Sequence, residues 1–198
     1  MYKNMEKGEW PRGCNKCNTT AKSRWHYYER RYPNARNEPQ RLRTMDLRFG
    51  TLCNASCITC SSTNSNYFYK VKKQGLYLTD EHVPFDSQAK IDAYEAEQDW
   101  WKKERNINDL LENIDTVDHL YVTGGEPTIN PMFHRVLKHL HRQGRTREVS
   151  IEINTNGTNL NTSFRNLLKP FRKHILFSID GYGELNNAMR YPTKFSAV

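Results

Sequence analysis

Three cysteines, Cys53, Cys57 and Cys60, stand within eight residues of one another in the segment GTLCNASCITC. Thiolates so close together on one loop can bind one metal ion or one face of a metal cluster. A structural zinc site needs four tetrahedral ligands, and the sequence places no fourth cysteine beside these three. A cubane 4Fe–4S cluster fits better, because three irons can each take one cysteine while the fourth iron stays open to an exogenous ligand. We therefore predict that these cysteines are metal ligands.

The composition indicates the class of protein and the compartment in which such a site would occur. The chain has 198 residues, which suits one ordinary domain or slightly more, and its 8 Phe, 11 Tyr and 4 Trp can supply a core. The mean hydropathy is −0.90, and no apolar run approaches the ~20 residues of a membrane span. The first residues do not resemble a secretory signal. We therefore expect a cytoplasmic protein without membrane contact, whose five cysteines are ligands or catalytic groups rather than disulfides.

Hydrophobic periodicity predicts alternating strands and helices from residue 44 onward. The predicted strands span 44–49, 117–125, 148–154 and 175–180, and the predicted helices span 86 or 87 to about 105, 107–114, 130–144 and 162–171. This order implies an α/β fold with parallel strands and right-handed crossovers. We assign residues 1–43, with a helix around 18–31, to a loop-rich N-terminal segment, and residues 44–198 to the core.

The unusual sequences follow the predicted strands. GTLCNASCITC follows the first strand, TGGEP the second, NTNG the third and SIDGYG the fourth. In parallel α/β folds the loops after the carboxyl ends of the strands meet at one edge and carry the chemistry. We therefore expect these four loops to share one rim.

The cysteine motif, followed by TGGEP after the next strand, resembles the radical S-adenosylmethionine (radical SAM) superfamily over about residues 44–198. The resemblance implies an incomplete parallel (β/α) barrel of TIM-like type. It also implies an enzyme with a 4Fe–4S cluster on Cys53, Cys57 and Cys60 and with S-adenosylmethionine on the open iron. In that family the reduced cluster cleaves the cofactor to a 5′-deoxyadenosyl radical, which abstracts a hydrogen atom from the substrate. The electron would come from a donor such as flavodoxin or ferredoxin.

The TGGEP segment matches the family motif that receives the amino group of the cofactor's methionine part. The matching residues are Gly124, Gly125 and Glu126. Glycine permits close backbone approach, and Glu126 or a nearby carbonyl can accept hydrogen bonds from an ammonium group.

The segment SIDGYGELNNAMR (178–190) resembles the fourth-strand region of the SPASM and twitch branch. The resemblance implies that Ser178 contacts the ribose and that Arg190 binds the carboxylate, for which its fork of donors is suited. Asn154 and Asn156 are further candidates for ribose contact, although NTNG is also typical of a turn. This branch favours a peptide or protein as substrate, and we name no catalytic residue for the substrate side.

Two features depart from the family pattern. The family usually has an aromatic residue just before its third cysteine, where this chain has Thr59, so the packing of the adenine is in question. The family's barrel has six strand–helix units, whereas four predicted strands precede Val198. We expect a truncated or split gene, or a second chain that completes the barrel.

Several interpretations stay open. A zinc ribbon that binds nucleic acid would pair Cys14 and Cys17 with Cys57 and Cys60, but 39 residues separate the two pairs, where ribbons have about 15–20. A chain that holds the cluster without catalytic turnover is another alternative. The first pair is either half of a second metal site or two reduced thiols of local structural use.

The remaining charged and aromatic residues carry less information. The net charge of +8 is spread from Lys3 to Lys194, which is typical of a solvated basic surface and also compatible with a nucleic-acid partner. We place His134, His139 and His141 on a solvated helix face. We expect Trp100 and Trp101 to pack against other residues of the core.

Overall fold

The computed structural model describes residues 41–75 and 87–198. Leu42–Val198 form one compact unit, which contains every element named below. The predicted N-terminal segment 1–43, with its helix around 18–31 and the Cys14–Cys17 pair, lies almost wholly outside the described residues.

The described chain alternates strands and helices. In chain order the strands are β1 (Thr44–Arg48), β2 (Ser56–Cys57), β3 (His119–Thr123), β4 (Ser150–Thr155), β5 (Arg172–Phe177) and β6 (Arg190–Tyr191). The α-helices are α1 (Tyr67–Lys73), α2 (Gln88–Gln98), α3 (Glu104–Ile114), α4 (Pro131–Arg142), α5 (Thr162–Leu168) and α6 (Glu184–Met189). Short 3-10 turns lie at Trp100–Lys102, Pro127–Ile129, Arg145–Arg147 and Phe195–Ala197.

Four of the strands form one parallel sheet in the order β1-β3-β4-β5. Leu47 pairs with Val122, Val122 with Ile153, and Ile153 with Ile175, so one apolar row crosses all four strands. The predicted α/β fold with parallel strands is therefore confirmed. Within the described ranges these strands form an open sheet, and closure into a barrel is not seen.

The two faces of the sheet differ because side chains alternate along each strand. The buried face packs against helices α3, α4 and α5, and its partners include Ile107, Phe133, Val136, Leu140 and Phe164. The opposite face carries polar side chains at less buried positions, namely Asp46, Arg48, Tyr121, Thr123, Glu152 and Asn154. One face therefore stabilises the fold, and the other is available for chemistry.

The predicted helix from residue 86 or 87 to about 105 is wrong in its length. Helix α2 ends at Gln98, a 3-10 turn follows, and Lys103 is extended at φ −85° and ψ 117°. Tertiary contacts favour this break, because the Trp100 indole N–H donates to the Arg48 carbonyl at 2.9 Å and Trp101 is buried. Packing of the two tryptophans is confirmed.

The prediction of a solvated histidine face on α4 is wrong. His134 Nε2 lies 2.8 Å from the Thr128 carbonyl oxygen, and His141 Nε2 lies 2.9 Å from the Leu167 carbonyl oxygen. His139 Nε2 lies 2.8 Å from Asp115 Oδ1. All three histidines therefore join α4 to neighbouring segments.

The last predicted strand also differs: β5 begins at Arg172, three residues before the predicted start, and ends at Phe177. In the described part of the chain, none of the helices combines the length and apolarity needed to cross a membrane.

Asn130 joins two elements that position the site. Its Oδ1 accepts from the Met132 N–H at 2.8 Å and so caps α4, while its Nδ2 donates to the Phe49 carbonyl at 3.0 Å beyond β1. Asn161 is exposed and caps α5 through a 2.9 Å bond from the Phe164 N–H, and its Nδ2 also donates to the nearby Asn159 Oδ1 at 3.4 Å.

We predict that Asn130→Ala lowers the free energy of unfolding by about 2–4 kcal/mol, because it removes a cap and leaves a buried acceptor unpaired. The matched variant Asn161→Ala should cost about 1 kcal/mol, since it removes a cap and a long, exposed local bond and leaves no buried acceptor unpaired. Urea unfolding measures both values. Equal losses would contradict the role of the Phe49 bond.

Candidate functional site

The loops after β1, β3, β4 and β5 surround one cavity of about 430 Å³ at the carboxyl edge of the sheet. That volume lies in the range of small-molecule sites, about 300–1,000 Å³. The cavity lining includes every predicted metal and cofactor residue, namely Cys53, Cys57, Cys60, Gly124, Gly125, Glu126, Asn154, Ser178 and Arg190. The expectation that the four loops share one rim is therefore confirmed.

The cysteine loop is held by hydrogen bonds to its own polar residues and to the start of α1. The Cys53 N–H donates to Asn66 Oδ1 at 3.2 Å, and the Ser65 hydroxyl donates to the Ala55 carbonyl at 2.5 Å. The Cys60 N–H donates to the Cys57 carbonyl at 2.9 Å and closes a turn. The polar residues between the third cysteine and α1 therefore fix the loop's conformation.

Strands β2 and β6 form a two-residue antiparallel pair that joins the cysteine loop to the end of the described chain. Cys57 lies opposite Arg190, and Ser56 lies opposite Tyr191. The Ile58 N–H continues the pairing with a 2.8 Å bond to the Met189 carbonyl. The sequence analysis missed this pairing, because strands of two residues have no periodicity to detect.

Arg190 lies between a thiol and a carboxylate. Its Nη1 is 3.6 Å from Cys57 Sγ, and its Nε is 2.8 Å from Asp180 Oδ2, while the side chain is only 12% exposed. The guanidinium therefore brings a positive charge to the cysteine loop, and Asp180 offsets part of that charge.

Burial dominates the acid–base behaviour of the thiols. It raises the pKa of Cys57 to about 11, although the Arg190 guanidinium acts in the opposite direction. Burial also raises the pKa of Cys53 and of Cys60. A thiolate is the form that binds metals, so these groups need a cationic neighbour to ionise at neutral pH.

The described residues contain no group of three His, Cys, Asp or Glu side chains placed to hold a single metal ion. The prediction that Cys53, Cys57 and Cys60 are metal ligands gains no support from this arrangement and stays a prediction.

The glycine pair allows two loops to touch. Gly124 and Gly125 have φ angles of +81° and +52°, and a Cβ on Gly125 would stand 2.2 Å from the Leu52 carbonyl oxygen. The Glu126 N–H donates to the same oxygen at 2.8 Å. Glycine is therefore required here by the approach of the cysteine loop.

Glu126 is 2% exposed, and four donors surround its carboxylate. Oε1 accepts from the N–H and the hydroxyl of Thr128 at 3.1 and 2.7 Å and from the Thr155 hydroxyl at 2.6 Å. Oε2 accepts from the Asn156 N–H at 2.7 Å. The carboxylate therefore joins the loops after β3 and β4.

The two asparagines of NTNG have different partners. Asn154 Nδ2 donates to the Tyr121 hydroxyl oxygen at 2.7 Å beside the cavity. Asn156 Nδ2 donates to Asn54 Oδ1 at 2.7 Å, and its Oδ1 accepts from the Thr158 hydroxyl at 2.8 Å. The side chain of Asn156 is therefore occupied in linking loops.

Arg48 and Tyr121 are two of the lining residues that were not predicted from the sequence. Both lie on the polar face of predicted strands, near the ends that carry the special loops. The alternation of β1 and β3 could therefore have identified them. Thr59, the departure from the family pattern, also lines the cavity.

Comparisons with known proteins give a likeness to a solved structure. No family model matches the sequence, and no curated protein matches it. The chain is similar to the solved structure "Native anSMEcpe with bound AdoMet", with 17% sequence identity and a TM-score of 0.45. The match covers 79% of this chain and 36% of that chain. These values are too low for the likeness to establish the activity of this protein.

We predict that Gly125→Ala destabilises the protein by at least about 2 kcal/mol more than Gly144→Ala. Both glycines have positive φ, so both variants share a cost of about 1–2 kcal/mol for the left-handed backbone. An added Cβ at Gly144 meets nothing within 4 Å among the described residues, whereas at Gly125 it collides with the Leu52 carbonyl. Urea unfolding of the two variants provides the measurement, and equal destabilisation would refute the contact between the loops.

Proposed function

We propose that this chain binds a 4Fe–4S cluster through Cys53, Cys57 and Cys60 and S-adenosylmethionine in the adjoining cavity, as a radical SAM enzyme with a partial barrel. The proposal rests on one observation. A single cavity is lined by the three thiols, the GGE segment and Arg190. These residues come from parts of the sequence up to 137 positions apart.

The thiols fit a cluster better than a single ion. A single ion requires its ligands to converge on one point, and the described residues contain no such group. A cubane instead binds each thiolate to a different iron, so the three thiols need only surround one space. The Arg190 guanidinium beside Cys57 Sγ would stabilise the negative charge of the ligated thiolate.

The cavity fits the polar groups of S-adenosylmethionine. Ser178, Tyr121 and Asn154 present hydroxyl and amide groups to it, and these suit the ribose. Because four donors already engage the Glu126 carboxylate, we expect backbone carbonyls of the GGE segment to accept from the cofactor's amino group. Arg190 would receive the cofactor's carboxylate while retaining its contact with Asp180.

When bound, the reduced cluster would supply the electron that cleaves S-adenosylmethionine and yields a hydrogen-abstracting radical. The residues of the chain would orient the cofactor and exclude water from it. We propose a peptide or protein as substrate and a flavodoxin-like or ferredoxin-like electron donor, on the SPASM and twitch resemblance of residues 178–190. The polar sheet face near Arg48 and Tyr121 would meet that substrate.

A further strand would extend the sheet at β5, from a longer chain or from a second one. β5 is the last strand of the described sheet, and its Leu176 and Phe177 are 37% and 44% exposed. An exposed strand edge with apolar side chains favours pairing with another strand.

We predict that wild-type protein binds about four irons and about four sulfides per chain after anaerobic reconstitution. It should then release 5′-deoxyadenosine from added S-adenosylmethionine and dithionite. Cys57→Ala should lose the cluster and the release of 5′-deoxyadenosine, because one iron loses its ligand. Cys14→Ala should retain the cluster.

Metal analysis and chromatographic detection of 5′-deoxyadenosine provide the readouts. Comparable iron loading in wild type and Cys57→Ala would overturn the ligand assignment. Binding of zinc alone would favour the ribbon alternative. A cluster without cleavage of the cofactor would indicate a cluster-binding chain that does not turn over.

A further inference from the structure

Within the residues that the structure describes, the positive charge is concentrated in one segment. Residues 131–177 contain nine Lys and Arg residues and two Glu, a net charge of +7. The other described residues contain 12 Lys and Arg and 13 Asp and Glu, a net charge of −1, while residues 1–40, outside the described ranges, carry a further +5. This segment runs from α4 to β5 and folds into adjacent elements of the core. The charge is therefore localised in the structure.

Most of this charge faces solvent. Seven of the nine basic residues are exposed, namely Lys138, Arg142, Arg147, Arg165, Lys169, Arg172 and Lys173. The remaining two, Arg135 and Arg145, are partly buried.

A groove of about 600 Å³ lies between α4 and α5, and some of the exposed basic residues line it. It is lined by Pro131, Arg135, Lys138, His141, Arg142 and Leu167. Three basic residues of α4 stand at positions i, i+3 and i+7, which places them on one face of the helix. With a rise of 1.5 Å per residue, this stripe extends about 10 Å along the helix axis.

The neighbouring acidic groups leave the stripe largely uncompensated. Glu104 is paired with Arg135 through bonds of 2.8 and 3.2 Å, and Glu148 is paired with Arg145 at 3.0 Å. Across the described ranges, no ion pair within 4 Å involves Lys138 or Arg142. These two cations are therefore available to an anionic ligand.

The groove between α4 and α5 lacks the apolar residues that binding to a membrane or to a protein needs. The large exposed apolar side chains of the described chain lie outside α4 and α5. A membrane-binding helix inserts apolar side chains, and protein interfaces depend on aromatic and apolar anchors. A single-strand platform stacks bases on aromatic rings. Binding to a nucleic-acid duplex, in contrast, draws its affinity from Lys and Arg contacts to phosphates.

We propose that the groove between α4 and α5 binds the phosphate backbone of a nucleic-acid duplex without base specificity. Lys138 and Arg142 contact phosphates directly, and the exposed Arg165 of α5 and Lys169 just after it extend the positive surface. The groove shares no lining residue with the cavity at the strand ends. The proposal therefore stands or falls independently of the cofactor chemistry.

The test uses the full-length chain and fluorescein-labelled 20-base-pair duplexes of DNA and of RNA, in separate arms. Fluorescence anisotropy measures affinity between 50 and 200 mM KCl. A double charge reversal, Lys138→Glu with Arg142→Glu, is compared with Lys72→Glu with Lys73→Glu. The control changes the net charge equally on exposed residues of α1. Circular dichroism checks that each variant is folded.

We expect the wild type to bind at 50 mM KCl, with an affinity that falls as salt rises. The patch variant should bind on the order of tenfold more weakly, and the slope of log K against log[salt] should be shallower by about 1.8, since two phosphate contacts are lost. The control variant should keep the affinity and the salt slope of the wild type. If the charge reversal perturbs the fold, Lys138→Ala with Arg142→Ala should show a smaller loss of affinity and the same shallower slope.

Three results would overturn the proposal. The first is an absence of duplex binding at 50 mM KCl, and the second is equal weakening by the patch and control variants. The third is tighter binding to vesicles of anionic lipid or to single strands than to either duplex, because it would assign the surface to another partner.

Discussion

The site depends on one buried carboxylate. A buried charge is costly unless hydrogen bonds compensate it, and Glu126 receives four of them from Thr128, Thr155 and Asn156. The Glu126 N–H binds the Leu52 carbonyl as well. One residue thus connects the loops that follow β1, β3 and β4. These hydrogen bonds therefore fix the three loops relative to one another.

The side of the cavity that contains Arg190 is held by a pair of short strands and not by Glu126. The pairing of β2 with β6 places Arg190 opposite Cys57 across 133 residues of sequence. Backbone bonds position the guanidinium, and Asp180 holds it from the other side. A cation beside a desolvated thiol is an arrangement that favours the ionised, metal-binding form of the sulfur. The Arg190 guanidinium therefore opposes part of the effect by which burial raises the pKa of Cys57.

The sequence was sufficient to predict the strands and helices whose residues form a local pattern. Alternating apolar residues predicted the parallel sheet, and the cap at Asn130 predicted α4, because both follow from neighbours in the chain. The sequence was insufficient where tertiary contacts decide. The break after α2 follows from the bond between Trp100 and β1, and the histidines of α4 find partners on other elements. The β2–β6 pair is too short to leave any periodic signal.

The distribution of charge over the surface also could not be predicted from the sequence. Along the sequence the basic residues looked evenly spread, since Lys and Arg occur from Lys3 to Lys194. Only the fold shows that α4 and α5 lie side by side, with His141 Nε2 2.9 Å from the Leu167 carbonyl oxygen, and that a groove runs between them. The protein therefore presents two chemically distinct surfaces, a polar cavity at the strand ends and a basic groove on the helical layer.

The measurement that tests the central claim most directly is electron paramagnetic resonance of the reconstituted, dithionite-reduced protein, recorded with and without S-adenosylmethionine. The account predicts the signal of a reduced 4Fe–4S cluster whose g values shift on addition of S-adenosylmethionine, because one iron has no cysteine ligand and is open to the cofactor. A protein without an iron–sulfur signal, or a signal that saturating S-adenosylmethionine leaves unchanged, would contradict it.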